Sequence, residues 1–169
     1  MIYVVGCNDG IQPRDQDWLG GDSPEAMAQK AHFAELIERI IQERKIQFVG
    51  EEWGLPDITT ACASAGTHRI QWVNINASRD DLDRLGIPHD YVKGDFSEAQ
   101  RRHWHSQREQ VMLCKLKENR GEALNVLAVC GFEHMESLAE LLRIDGVAAE
   151  TVDYRKMDWY RAGVFSGDA

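Results

Sequence analysis

The stretch LNVLAVCGFEHMESL (residues 124–138) decides the fold, because the period of its apolar residues changes part-way along. Residues 124–129 are almost continuously apolar, as in a strand buried on both faces. Cys130, Gly131 and Phe132 turn the chain. Over residues 133–143, Met135, Leu138, Leu141 and Leu142 then recur at helical spacing. Working outward, the short β-branched runs at residues 2–5, 46–49, 69–75 and 148–152 read as four more strands. A helix over residues 24–45 is announced by Ser23 as cap, Pro24 at its first position and Glu25 in its first turn. Its apolar stripe is Ala26, Ala31, Phe33, Ala34, Ile37, Ile40 and Ile41. Ser97 and Gln100 form a capping-box pattern that opens a long helix to about residue 119, which Gly121 ends. A short helix over residues 57–65 would take Asp57 as its cap. Residues 7–23 and 77–95, rich in Gly, Pro and polar side chains, read as loops. Leu82, Leu85 and Ile87 anchor the second loop, and Trp18 and Leu19 form an apolar tip on the first.

Strands alternating with helices give an α/β fold: a mainly parallel sheet of four to five strands, helices on both faces, in a single domain. That domain spans residues 1–153. Residues 154–169 form a C-terminal tail whose Trp159, Tyr160 and Phe165 suit packing on the body or on a second copy of the chain.

At 43% hydrophobic and 28% charged residues over 169 positions, the chain has ordinary globular composition. Its net charge of −9 opposes phosphate backbones, so no nucleic-acid partner is expected. Residues 100–103 are the one basic run and suit a solvated helix face. No apolar run is long enough for a membrane span. Cys7, Cys62, Cys114 and Cys130 form no C-x-x-C pair, which fits reduced thiols and a cytoplasmic setting. GxSxG, P-loop and GxGxxG patterns are all missing, which argues against the corresponding hydrolases, NTPases and dinucleotide enzymes.

In parallel sheets, ligands bind beyond the carboxyl ends of the strands. Those ends supply Asn8 and Asp9, then Glu51 and Glu52, then Asn74 and Asn76, and finally Cys130, Gly131 and His134. Neighbouring Glu51 and Glu52 point to opposite sides if extended, so one would face the rim and the other elsewhere. His134 sits in a first helical turn, where the dipole favours a neutral ring able to ligate, accept a proton or bind an oxyanion. Gly131 lets backbone approach a ligand. Arg108 lies beside Trp104 and Met112 at helical spacing, placed to clamp a carboxylate of a ligand, of Glu51 or of Glu52, with Glu109 next to it. His103 and His105 lack the spacing of a helical metal pair, and His32, His68 and His89 read as structural or exposed. Cys130 reads as a small core residue rather than a nucleophile.

Three blocks, FVGEEWG (residues 48–54), SQREQVM (106–112) and LAVCGFEHMESL (127–138), resemble the group that includes TraB/Tiki-type proteins, haem-binding ChaN-like proteins and erythromycin esterases. That group shows Gly-Glu at a strand end, Arg before an acidic residue on a helix, and Gly-x-x-His after a strand. The resemblance implies that Glu51, Arg108 and His134 occupy the shared polar positions, with Glu52 and Glu109 beside them. It implies hydrolysis assisted by Glu and His, or by a metal, in some members and haem binding in others. The chain departs from the pattern at Trp53, where Tiki-type and esterase members often carry His.

Two classes of function stay open at this point. One is an esterase- or metalloprotease-like hydrolase acting on a small molecule or peptide. Glu51, His134 and Arg108 would be catalytic, with Glu52, Asn8, Asp9, Asn74 and Glu109 binding substrate. A divalent metal ion, if used, would sit on Glu51 and His134. The other is a non-catalytic module for a small molecule, nucleotide or haem, or an interaction protein that forms a homodimer.

Overall fold

The computed structural model describes residues 1–8, 10–13, 23–55, 58–91 and 94–164. Asp9, Trp18, Leu19, Asp57 and Phe165 lie outside the described residues.

Five parallel strands form one sheet: β1 (Ile2–Cys7), β2 (Phe48–Glu51), β3 (Gln71–Asn74), β4 (Val126–Gly131) and β5 (Ala149–Asp153). Their order is β3-β2-β4-β1-β5, so the α/β architecture expected from the alternating periods is the one observed. The two central neighbours, β1 and β4, are fully buried along their length, which accounts for their unbroken apolar runs. Strand β3 lies at an edge, and its residues are exposed or half-buried.

Helices cover both faces. On one face, α1 (Pro24–Glu43) and α2 (Thr60–Thr67) pack Phe33, Ile37, Ala61 and Ala65 against Val5, Val49 and Val129. On the other, α4 (Glu98–Asn119) and α5 (Phe132–Ile144) pack Met112, Leu116, Met135 and Leu138 against Val4, Phe48 and Ala128. Gly50 lets α4 approach closely: a Cβ there would stand 2.5 Å from Leu116 Cδ2 and 3.0 Å from Ile75 Cγ2.

Several boundaries differ from the sequence expectations. In β2 the strand runs two residues further toward the rim than residues 46–49, which makes Glu51 its last residue and Glu52 the first beyond it. β4 likewise begins at Val126 and leaves Leu124 exposed. Helix α2 starts from Thr59, whose hydroxyl accepts from the Cys62 amide at 3.0 Å, rather than from Asp57. In α1, Leu36 is buried and Ala31 exposed, because an Ala at the stripe's margin contributes little apolar area. The segment read as a loop over residues 77–95 contains α3 (Arg79–Leu85). Ser78 and Asp81 cap it reciprocally, and Gly86 closes it at φ 67°. Ile87 is buried at its foot, as the anchoring reading requires. After β5 a single 3₁₀ turn (Tyr154–Lys156) leads into a segment laid against α1. Trp159 stacks on both His32 and Tyr154, and Gln29 donates to the Arg161 carbonyl at 2.9 Å.

Candidate functional site

The rim of the sheet is built where β2 ends. Phe48 packs on the α4/α5 face and Val49 on the α1/α2 face, so the alternation sends Glu51 to the α1/α2 side and Glu52 to the other. The Glu52 amide still donates to the Val129 carbonyl at 2.8 Å, which holds residue 52 beside β4. Its carboxylate Oε2 then accepts from the Gly131 amide at 3.0 Å. Oε1 accepts from Nη2 of Arg108, and both side chains of this ion pair are about nine-tenths buried, at 10% and 12% exposure. The open choice for the Arg108 clamp therefore falls on Glu52.

Arg108 reaches the rim from the middle of α4. Its Nη2 also donates to Asn76 Oδ1 at 3.1 Å, and Nη1 donates to the Tyr91 hydroxyl. Nη1 stands 3.3 Å from Nε2 of His134. His134, in the first turn of α5, is fully buried. A guanidinium has only donors, so Nε2 must accept from it and the ring proton must sit on Nδ1. Nδ1 faces Glu109 Oε1 at 2.9 Å, and the same oxygen accepts from the Ser137 hydroxyl at 2.6 Å. A carboxylate held behind an imidazole in this way fixes both its tautomer and its plane. His105, on the same face of α4 as Arg108 and Glu109, brings Nδ1 to 3.4 Å from His134 Nε2. Since Nε2 is an acceptor, Nδ1 of His105 is the donor of that pair. Burial, the adjacent His134 ring and the Arg108 guanidinium together hold His105 below the usual imidazole range. Burial raises the Tyr91 hydroxyl, while Arg108 pulls it down.

Beside these groups lies a hollow of ≈ 540 Å³ lined by Arg101, Arg102, His105, Glu109, Glu133 and Ser137, among others. His105, Glu133 and His134 offer possible metal-ligand atoms within 4.8 Å of one another. Arg108 already donates to the His134 nitrogen in that set, and its fixed positive charge would face any cation held there. The three groups do not fit a cation while Arg108 keeps its place. Glu51 is not among them. The space left by the missing side chain of Gly131 is taken by Glu133, whose carboxylate lies 2.8 Å from where a Cβ would stand.

Glu51 occupies a separate, sealed environment. Thr59 Oγ1 donates to its Oε2, as does Trp72 Nε1 at 2.9 Å, and Gln12 Nε2 donates to Oε1 at 3.3 Å. All three donors are neutral. Burial outweighs them and pushes the Glu51 carboxyl up to about 7. None of these three partners is shared with His134 or Arg108.

Of the other sequence-chosen residues, Asn74 binds the chain after β2. It donates to the Trp53 carbonyl at 2.6 Å and accepts from the Trp53 amide at 3.3 Å. Asn8 is buried at the end of β1, where its Oδ1 accepts from the Gly10 amide at 2.7 Å. Cys130 is fully buried, and burial raises its thiol well above the ordinary value, as suits a core residue. His32, His68 and His89 pair with Glu35, Glu38 and Asp83 away from the rim. The rim thus brings together Glu52, Asn76, Arg108, Glu109 and His134, and adds His105 and Tyr91. The signal for His105 lay in the α4 spacing: it stands three residues before Arg108 and four before Glu109, so all three share a face. Tyr91 had no comparable signal, since its place depends on how the segment after α3 folds back.

No helix among the described residues is long and apolar enough to cross a membrane. Comparison of the chain with family models, with curated proteins and with solved structures gives no match in any of the three.

Proposed function

We propose that the protein is a hydrolase whose proton-handling centre is the Glu109–His134 pair. The single observation that carries this reading is the fully buried His134 ring, pinned at Nδ1 by Glu109 and facing at Nε2 the His105 ring in the wall of the hollow. A neutral imidazole so oriented takes up the proton that a nucleophilic water releases, and the resulting imidazolium is stabilised by the carboxylate behind it. Glu52 balances the charge of Arg108 in the resting state, so the guanidinium is positioned without an uncompensated charge in the rim. Once His134 is protonated, its Nε2 no longer accepts from Arg108. The Glu52 and Glu133 oxygens at 3.7 and 4.0 Å are then the nearest charge partners on that side. The hollow, with Arg101 and Arg102 in its wall, suits a small substrate or a peptide end.

The test is turnover of ester, amide and phosphoester panels by the purified protein. His134→Asn and Glu109→Gln should each lower kcat by roughly 10²- to 10⁴-fold, the range for loss of a positioned acid–base group. Far-UV circular dichroism should show that both variants keep their fold. Absence of hydrolysis by the wild-type protein across all three panels would remove this reading.

A further inference from the structure

Resting on the proposed hydrolase reading, we infer that His105 is the catalytic residue that meets the attacking water, passing protons between the hollow and the sealed His134 ring. His134 has no exposed surface and is not part of the wall of the hollow, whereas the half-buried His105 is. Any proton that reaches or leaves His134 at Nε2 must therefore cross one of its neighbours. Arg108 cannot serve, because a guanidinium in a protein does not give up its proton. Glu52 is held by Arg108 on one oxygen and by the Gly131 amide on the other. Glu133 is exposed, but its oxygen lies 4.0 Å from Nε2. His105 faces Nε2 directly at 3.4 Å, with the two ring centres 4.8 Å apart. Its orientation is set by Tyr91, whose ring meets it edge-on at 5.7 Å.

The tautomers forced by Arg108 give the relay its direction. His105 carries its proton on Nδ1, so its Nε2 holds a lone pair, the feature a base needs. Water in the hollow loses a proton to Nε2 of His105 as its oxygen attacks the substrate. The Nδ1–H bond of His105 breaks as the Nε2–H bond of His134 forms. The positive charge thus comes to rest on His134, against Glu109. The reverse sequence returns the proton to the leaving group. One proton enters and one leaves each ring, and no other reactant is required.

The charged and titratable groups around the pair are Arg108 and Glu109 from α4, Glu133 from α5, Glu52 from the end of β2 and Tyr91. None of these other groups joins the hollow to Nε2 within hydrogen-bonding distance.

The test reads, by ¹⁵N NMR of the His134 ring, the rate at which Nε2 exchanges its proton with solvent in the wild-type protein, His105→Leu and His105→Gln. Leu fills the space without a proton carrier. Gln keeps a donor for Nε2 of His134 but cannot transfer a proton through itself. Exchange should slow by roughly 10²-fold in both variants, the lower range for a positioned proton-transfer group. In the His105→Gln enzyme kcat should fall with KM held. Unchanged exchange in folded His105→Leu, or wild-type exchange in His105→Gln, would overturn the proposal. If Leu prevents folding, the Gln variant decides alone. A wild-type protein that hydrolyses nothing but exchanges through His105 would sink the hydrolase reading and leave the relay standing.

Discussion

Glu51 and Glu52 are chain neighbours with opposite surroundings, and the contrast shows how one residue of register divides two chemistries. Glu52 emerges on the α4 side, meets a guanidinium and a backbone amide, and joins the His134 network. Glu51 emerges on the α1/α2 side, where a hydroxyl, an indole and an amide, all neutral, donate to it. A pair with a cation and a carboxyl without one respond differently to mutation and to pH.

The largest expected effect breaks the paired side. Arg108→Met removes the cation and leaves the Glu52 carboxylate largely buried without its charge partner. A loss of about 3–5 kcal/mol is expected in urea unfolding at pH 7. A loss under ~1 kcal/mol would mean that the pair behaves as though exposed to solvent. The unpaired side should respond to pH instead. The Glu51 carboxyl is raised from 4.5 to about 7 in the folded protein, so the folded state binds the proton more tightly than the unfolded state. Its stabilising contribution is complete below about pH 4.5 and is lost as pH rises toward 7 and beyond. At about 1.4 kcal/mol per pH unit, roughly 3 kcal/mol is at stake. Glu51→Gln should flatten the fall in stability between pH 5 and pH 8, read as urea midpoints; an unchanged slope would place its origin elsewhere. Thr59→Val is the smallest of the three changes. It deletes a donor to Glu51 and the cap of α2 together, for about 1–2 kcal/mol. It should also raise the pH at which Glu51 titrates, because a bond to the charged form is gone, and a ¹³C carboxyl titration would detect this.

Most of the fold was legible because it rests on period. The runs of β1 and β4 and the stripes of α1 and α5 are apolar wherever the sheet needs cover. Helix α3 was missed because, among its residues, none is buried and there is no stripe to read. Its signal was the cap, Ser78 with Asp81, which works without a core. The gathering of strand-end residues followed from topology, and Glu52, Arg108 and His134 do meet. Which glutamate would face His134 depended on which face of β2 α4 covers. A sequence window does not show this, since Phe48 and Val49, on opposite faces, are equally apolar. His105 gives no metal signal with His103, two residues away, and its relevant companions, Arg108 and Glu109, lie further along α4.

Gly50 gives α4 a fulcrum. Leu116 rests where a side chain at position 50 would be, and Arg108 lies eight residues up the same rod, about 12 Å away at 1.5 Å per residue. A methyl group at the fulcrum would have to be absorbed by the Leu116 side chain or by a tilt of the whole rod. A tilt would be magnified at the guanidinium. The accuracy with which the charged tip meets the rim is thus set partly by a hydrogen atom buried two turns below it.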